Sequence, residues 1–300
     1  MATSQRSRNR RRRAPVSREA RYVAPVLDPT WQSPYAPSVG ERHSNHRAVR
    51  RFAFRRRLPH TIVVGVVVAL SFIGAAFEIW LPLVGVALAG LYVYDLRRTM
   101  ATFADRARTL AGSIVARCGE GGDAKERARL ATVLDRLAAT FGVDAVRAQI
   151  VEDSTYNAAL VPDRDGLTLV VTTAVMSDFE LIELEGVVAH CLARERLGLV
   201  ERQSLAAVCA LGAEASRTLA GVDLAYRADE VAAASIRYTL GLAAALDRCA
   251  KQRPRADSFF SSPDFDRWRW VFFNQWSDQR GPGDGSLDNA AVRSRALEEW

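Results

Sequence analysis

Apolar residues are distributed in three different ways along the 300-residue chain. Residues 1–58 show no apolar period, and prolines recur at Pro15, Pro25, Pro29, Pro34 and Pro37; such a stretch is predicted to be disordered. Residues 61–94 are almost free of charge: Thr61–Phe77 is apolar, Glu78 interrupts, and Ile79–Tyr94 resumes. This is too long for one untilted span, which needs about 20 residues. It predicts a transmembrane helical hairpin over residues 59–98, with helices near 61–77 and 79–95, Trp80 at the water interface and Pro82 in the first turn of the second helix. From residue 99 to 300 the chain reads as one mainly helical domain. Helical spacing covers Arg98–Arg117 and Ala124–Phe141, split at Gly119–Gly122. Val146–Glu152 and Leu167–Thr172 read as a small antiparallel pair, with a turn at Pro162–Gly166. Ser177 and Glu180 form a capping box ahead of the next helix. Helices near 202–220 and 223–251, an aromatic stretch from Phe259 to Trp276, a loop at Gly281–Gly285 and a last helix over Asn289–Trp300 complete the pattern. The fold class is α+β, mainly helical, with a small antiparallel sheet.

Charge sharpens the picture. Residues 1–60 hold 15 arginines against Glu19, Asp28 and Glu41, a net of +12, which leaves −5 for the remainder of a chain whose total is +7. Arginines flank both outer ends of the apolar segment, Arg55–Arg57 before it and Arg97 and Arg98 after it. The positive-inside rule then puts both ends in the cytoplasm of a bacterial inner membrane, with the Glu78 turn outside. The competing arrangement is one long tilted helix with the body outside. The run Arg10–Arg13 and the cluster Arg50, Arg51, Arg55, Arg56 and Arg57 are a solvated tail whose second cluster sets orientation or, alternatively, a contact for anionic lipid or nucleic acid, of which nucleic acid is the less expected partner. The cysteines Cys118, Cys191, Cys209 and Cys249 contain no C-x-x-C pair and imply no disulfide framework.

The candidate chemistry centres on His190, the only histidine after residue 60, in the run Glu185-Gly186-Val187-Val188-Ala189-His190-Cys191-Leu192-Ala193-Arg194. A zinc peptidase helix of the H-E-x-x-H type needs two histidines one turn apart and a glutamate general base after the first. Here Cys191 stands at the base position and Arg194 at the second-ligand position, and an arginine donates only. Cys191 as a nucleophile served by His190 meets a geometric objection, because adjacent residues on a helix do not face each other.

Further pieces extend the pattern in order. Asn157-Ala158-Ala159-Leu160, Val170–Met176, Leu181–His190 and Ala225-Tyr226-Arg227-Ala228-Asp229 resemble the N-A-x-A, strand, zinc-helix and E-x-x-A-D segments of the HtpX-like membrane zinc metallopeptidases, of the gluzincin type. Asp288–Glu299 loosely resembles the family's C-terminal H-P-x-x-x-x-R-I segment without its histidine. The resemblance covers about 240 residues and implies a metallopeptidase-like domain. It assigns zinc binding to positions 190, 194 and 225 and the general base to position 191; these hold His190, Arg194, Ala225 and Cys191. It also implies that Asp229 orients His190. One ligand does not hold a zinc ion, which takes three or four, so no metal, no cofactor and no hydrolysis are expected. The resulting expectation is a membrane-anchored pseudopeptidase whose vestigial groove binds a protein or peptide. The alternatives are a divergent hydrolase using His190 and Cys191, and a structural membrane protein whose basic arm binds anionic lipid or nucleic acid. Arg194 is expected to fill the metal position, with Asp229, Glu230 or Glu183 as counter-charge. The aromatic stretch is read as core.

Overall fold

A computed structural model describes residues 35–76, 78–209, 212–275 and 288–300. The expected disordered arm, as far as residue 34, lies outside the described residues, as do Trp276 and the loop Gly281–Gly285. Residues 39–58 correct that expectation. They form the first part of α1 (Val39–Ile73), opened by a capping box in which the Ser38 hydroxyl accepts from the Glu41 N–H at 3.1 Å and the Glu41 carboxylate from the Ser38 N–H at 2.9 Å. No apolar stripe announces this helix, because tertiary contacts hold it. Asn45 donates to the Leu197 carbonyl at 2.8 Å, His46 meets Glu201 at 2.8 Å, and Val49 is buried.

Two helices, both longer than expected, cover the segment read as a hairpin: α1, and α2 over Leu81–Arg108, with Pro82 in the first turn of α2. Their antiparallel register is fixed by three contacts. Arg57 bonds Asp95 at 2.7 Å and Thr99 at 2.9 Å, Thr61 meets Tyr92 at 2.7 Å, and at Gly85 the helices approach so closely that a Cβ would fall 1.9 Å from the Ser71 hydroxyl. The segments Val39–Arg55 and Arg57–Ile73 are bent by 56°. Pro59 accounts for the bend, since its ring displaces the carbonyl of Arg55 and lacks the N–H that would bond it. Among the described residues no single helix is long and apolar enough to cross a membrane; the two bent segments of α1 together pass that test by length and composition.

Beyond the hairpin come α3 (Leu110–Cys118) and α4 (Ala124–Phe141). The α4 helix matches its expected bounds because both ends are chemically marked: an Asp123–Glu126 capping box, and Gly142 at φ +59° in the left-handed conformation that glycine adopts without strain. The sheet corrects the expected antiparallel pair. Strands β1 (Val146–Val151), β2 (Ala158–Asp163) and β3 (Gly166–Thr172) lie in the order β1-β3-β2. β1 and β3 are parallel, with Val146 opposite Leu167, and β2 is antiparallel to β3, with Leu160 opposite Leu169. The turn at residues 162–166 therefore joins β2 to β3. An edge strand tolerates Pro162, whose missing N–H is no loss to the ladder there.

The remaining helices are α5 (Thr173–Asp178), α6 (Leu181–Arg196), α7 (Leu199–Val208), α8 (Ala213–Ala220), α9 (Leu224–Ile236), α10 (Thr239–Lys251), α11 (Pro263–Trp268) and α12 (Ala290–Glu298). α6 does not begin at the expected Ser177 box. The chain breaks at Phe179, and the Glu180 N–H donates instead to Glu183 at 2.8 Å. Strand alternation divides the core. Leu160, Leu169 and Val171 face α4, α6, α9 and α10, whereas Ala159, Val161 and Val170 face α3 and the aromatic cluster of Phe259, Phe260, Phe265 and Phe272. Those rings are buried core, as expected from the sequence.

Candidate functional site

α6 runs through the middle of the larger core, so side chains on several of its faces are out of solvent. His190 and Cys191 are 0% exposed and Arg194 1%. One turn separates His190 from Arg194, and they share a face. α9 packs across α6 and brings Asp229, also 0% exposed, to His190, with Nδ1 2.6 Å from the carboxylate. A residue given no role by the sequence pattern completes the cluster. Arg293 of α12, 0% exposed, donates to Asp229 through Nε at 2.6 Å and Nη2 at 2.8 Å, and to the Phe273 carbonyl at 2.8 Å. Its bidentate fork matches the carboxylate plane.

Protonation follows from this geometry. Burial pushes Asp229 up, but the Arg293 and His190 charges and their hydrogen bonds outweigh it and hold the carboxyl below its ordinary value. Burial pushes His190 down from 6.5 to about 4; Asp229 opposes this, and Arg293 and Arg194 reinforce it. The imidazole is therefore neutral at neutral pH. A 2.6 Å contact to an ionised carboxylate requires a donor, so Nδ1 carries the proton. The 3.3 Å approach of Arg293 Nη2 to Nδ1 is then a donor–donor contact. Nε2 is left as a buried acceptor with no hydrogen-bond partner among the described residues, and the ring stands edge-on to Phe273 at 5.0 Å.

Arg194 follows a different logic from the one expected. None of the three expected counter-charges meets it: Asp229 pairs with Arg293, Glu230 with Arg227 at 3.0 Å, and Glu183 with Arg248 at 2.8 Å. Instead, Arg194 donates to neutral oxygens. Nε and Nη2 reach Gln203 Oε1 at 2.9 and 2.6 Å, Nη1 reaches the Val271 carbonyl, and Nη2 reaches the Trp270 carbonyl at 3.3 Å. Burial lowers its pKa to about 10, which still leaves it cationic at neutral pH. Solvation by aimed carbonyl and amide dipoles replaces the carboxylate. Cys191 is pushed up to about 11, chiefly by burial, and remains a thiol; a thiol so placed is a weak nucleophile.

The segment that solvates Arg194 also covers the outer edge of β2. Phe272 bridges Ala159 in antiparallel fashion, and the Phe273 N–H donates to the Ala158 carbonyl at 2.7 Å. Asn157 clamps Asn274, donating to its carbonyl and accepting from its N–H, both at 2.9 Å. The edge beside His190 is thus occupied by the chain itself.

The implied zinc does not fit these residues. His190 Nε2 is the one free lone pair left at the cluster, Ala225 supplies none, and Arg194 brings a fixed positive charge. Among the described residues no group of three or more His, Cys, Asp or Glu is arranged to hold a metal ion. No family model matches the chain, and no curated protein or solved structure matches it.

Proposed function

We propose that this chain is a membrane-anchored relative of the HtpX-like metallopeptidases that does not hydrolyse peptides and works as a binding or regulatory module. The observation that carries the reading is the charge balance of the His190 cluster. A guanidinium already neutralises Asp229, and a second, that of Arg194, stands on carbonyl and amide oxygens at the position that the resemblance gives to a zinc ligand. Burial of Cys191 as a protonated thiol speaks against the divergent hydrolase. Because residues 270–274 cover the β2 edge, a protein or peptide partner that adds to this edge must displace them.

Exposed apolar side chains on the hairpin support the anchor: Val63, Leu70 and Ile73 on α1 and Leu83, Val86 and Leu91 on α2, each more than half exposed. An unpaired surface of this kind marks a membrane or partner. The uncharged part of each helix, Thr61–Ile73 and Leu81–Tyr94, is about 20 Å long against a hydrocarbon core of about 30 Å, so a crossing hairpin thins the bilayer around itself. Arginines at both outer ends favour a cytoplasmic body. Protease added to intact cells then spares residues 99–300; their digestion from outside would refute the topology.

Metal analysis tests the catalytic reading. The purified full chain is expected to hold no stoichiometric zinc and to leave peptide substrates intact, whereas a Cys191→Glu, Arg194→His, Ala225→Glu variant gains zinc. Stoichiometric metal with peptide hydrolysis in the natural chain would overturn the proposal, and a folded triple variant that binds no zinc would undercut the family resemblance.

A further inference from the structure

The bend at Pro59 leaves a cavity of about 840 Å³ between the hairpin and the body. Its walls are apolar at both ends: Val63 and Val64 on the hairpin side, and Phe52, Phe103, Leu205 and Leu219 on the body side. The cavity is partly open, so an occupant can enter it. On α2 the lining extends from Tyr92 to Arg106, about 20 Å of helix, so an elongated occupant fits. The polar group at mid-length is internally satisfied, since Arg57 is bonded by Asp95 and Thr99. At the body end Arg106 is exposed, its guanidinium 6.0 Å from the Phe103 ring centroid, and among the described residues no ion pair or hydrogen bond involves that side chain. With Arg57 offset by Asp95, Arg106 leaves the lining net positive.

We propose that this cavity binds one anionic membrane lipid, its acyl chain lying along the Phe52–Phe103 wall toward Val63 and Val64 and its acidic headgroup on Arg106. Two observations select this occupant. The cavity is continuous with the hairpin's exposed apolar surface, which gives a chain a path from the bilayer, and its free charge is positive. The inference rests on the membrane reading above. A bound lipid would fasten the hairpin to α7 and α8, which bear Leu205 and Leu219.

The test uses the full-length chain in nanodiscs of phosphatidylcholine that carry a trace of either phosphatidylglycerol or phosphatidylcholine with a mid-chain diazirine. After photolysis, adducts are mapped by mass spectrometry. The phosphatidylglycerol probe is expected on the body-side wall at Phe52, Met100 and Phe103, which bilayer lipid outside the cavity does not reach. Arg106→Gln lowers that labelling about fivefold, the worth of one cation near an anionic surface, and leaves the neutral probe unchanged. Ala53→Trp, which fills the cavity, abolishes the wall adducts and keeps those at Leu70 and Ile73. Equal wall labelling by both probes refutes headgroup recognition. Adducts confined to residues 65–73, or wall adducts indifferent to Ala53→Trp, refute the cavity as a site. Vesicle flotation separates these outcomes from failure of the membrane reading: a chain that does not float overturns both, and one that floats without wall adducts overturns only the lipid site.

Discussion

Removal of the Asp229 carboxylate gives the most direct test of the buried cluster. Asp229→Ala deletes the acceptor for His190 Nδ1 at 2.6 Å and for two Arg293 donors at 2.6 and 2.8 Å. The Arg293 side chain is fully buried and keeps one further bond, to the Phe273 carbonyl. Its charge is then stranded, which costs about 3–5 kcal/mol. For a body of roughly 200 residues, each kcal/mol moves the midpoint by about 2–4 °C, so a fall of about 6–20 °C is expected. The chain has six tryptophans, and thermal unfolding of the full protein in detergent at a fixed scan rate reads the shift by intrinsic fluorescence. The control is the double variant Asp229→Ala, Arg293→Met. If stranded charge is the cause, removing the cation restores at least half of the loss, because an apolar replacement of a buried pair is often close to neutral. A single-variant shift below about 2 °C, or a double variant whose losses simply add, would refute this account.

Three further outcomes follow from the same structure. Burial lowers His190 from 6.5 to about 4, so between those values the unfolded chain binds a proton that the folded chain does not; stability is full above about pH 6.5 and falls toward pH 4 by up to about 3 kcal/mol. A thermal midpoint that stays flat across that window, or slopes equally in His190→Asn, would show otherwise. A Cβ at Gly186 would fall 2.8 Å from Leu242 Cα, where α6 meets α10. Gly186→Ala therefore destabilises by about 1–3 kcal/mol, whereas Gly112→Ala, with nothing within 4 Å, stabilises by about 0.5–1 kcal/mol; equal effects in denaturant titrations would count against the close contact. Cys191 and Cys249 are buried and pushed up to about 11 and about 12, so both resist maleimide in the native protein and react only after unfolding, as peptide mass spectrometry reads; Cys191→Ala is expected to leave function unchanged.

The legible parts of this fold are those whose stability is local. α4 has an apolar stripe and marked ends, and its bounds coincide with the sequence reading; β1 and β3 begin or end within a residue of theirs. Pairing was not legible, because β2 begins Ala158-Ala159 and contains Pro162, none of which favours a strand. Ala158 and Ala159 are buried between two packed layers instead, so β2 owes its conformation to its neighbours. The start of α1 was hidden for the same reason: its arginines carry no apolar period, and Asn45 and His46 act through partners about 150 residues away. At the candidate site the pairing of His190 with Asp229 was anticipated and the partners of Arg194 were not. Gln203 and two main-chain carbonyls leave no mark in a sequence. Arg293 did leave one. It lies among Ala290, Ser294 and Leu297 on the buried face of α12, and an arginine in the apolar phase of a helix calls for buried acceptors elsewhere, an acid among the possibilities. Asp229 lies on the buried face of α9, where it meets this arginine. Natural chains that conserve this cluster should therefore change residues 229 and 293 together. Loss of either one alone creates the stranded charge whose cost the Asp229→Ala experiment measures.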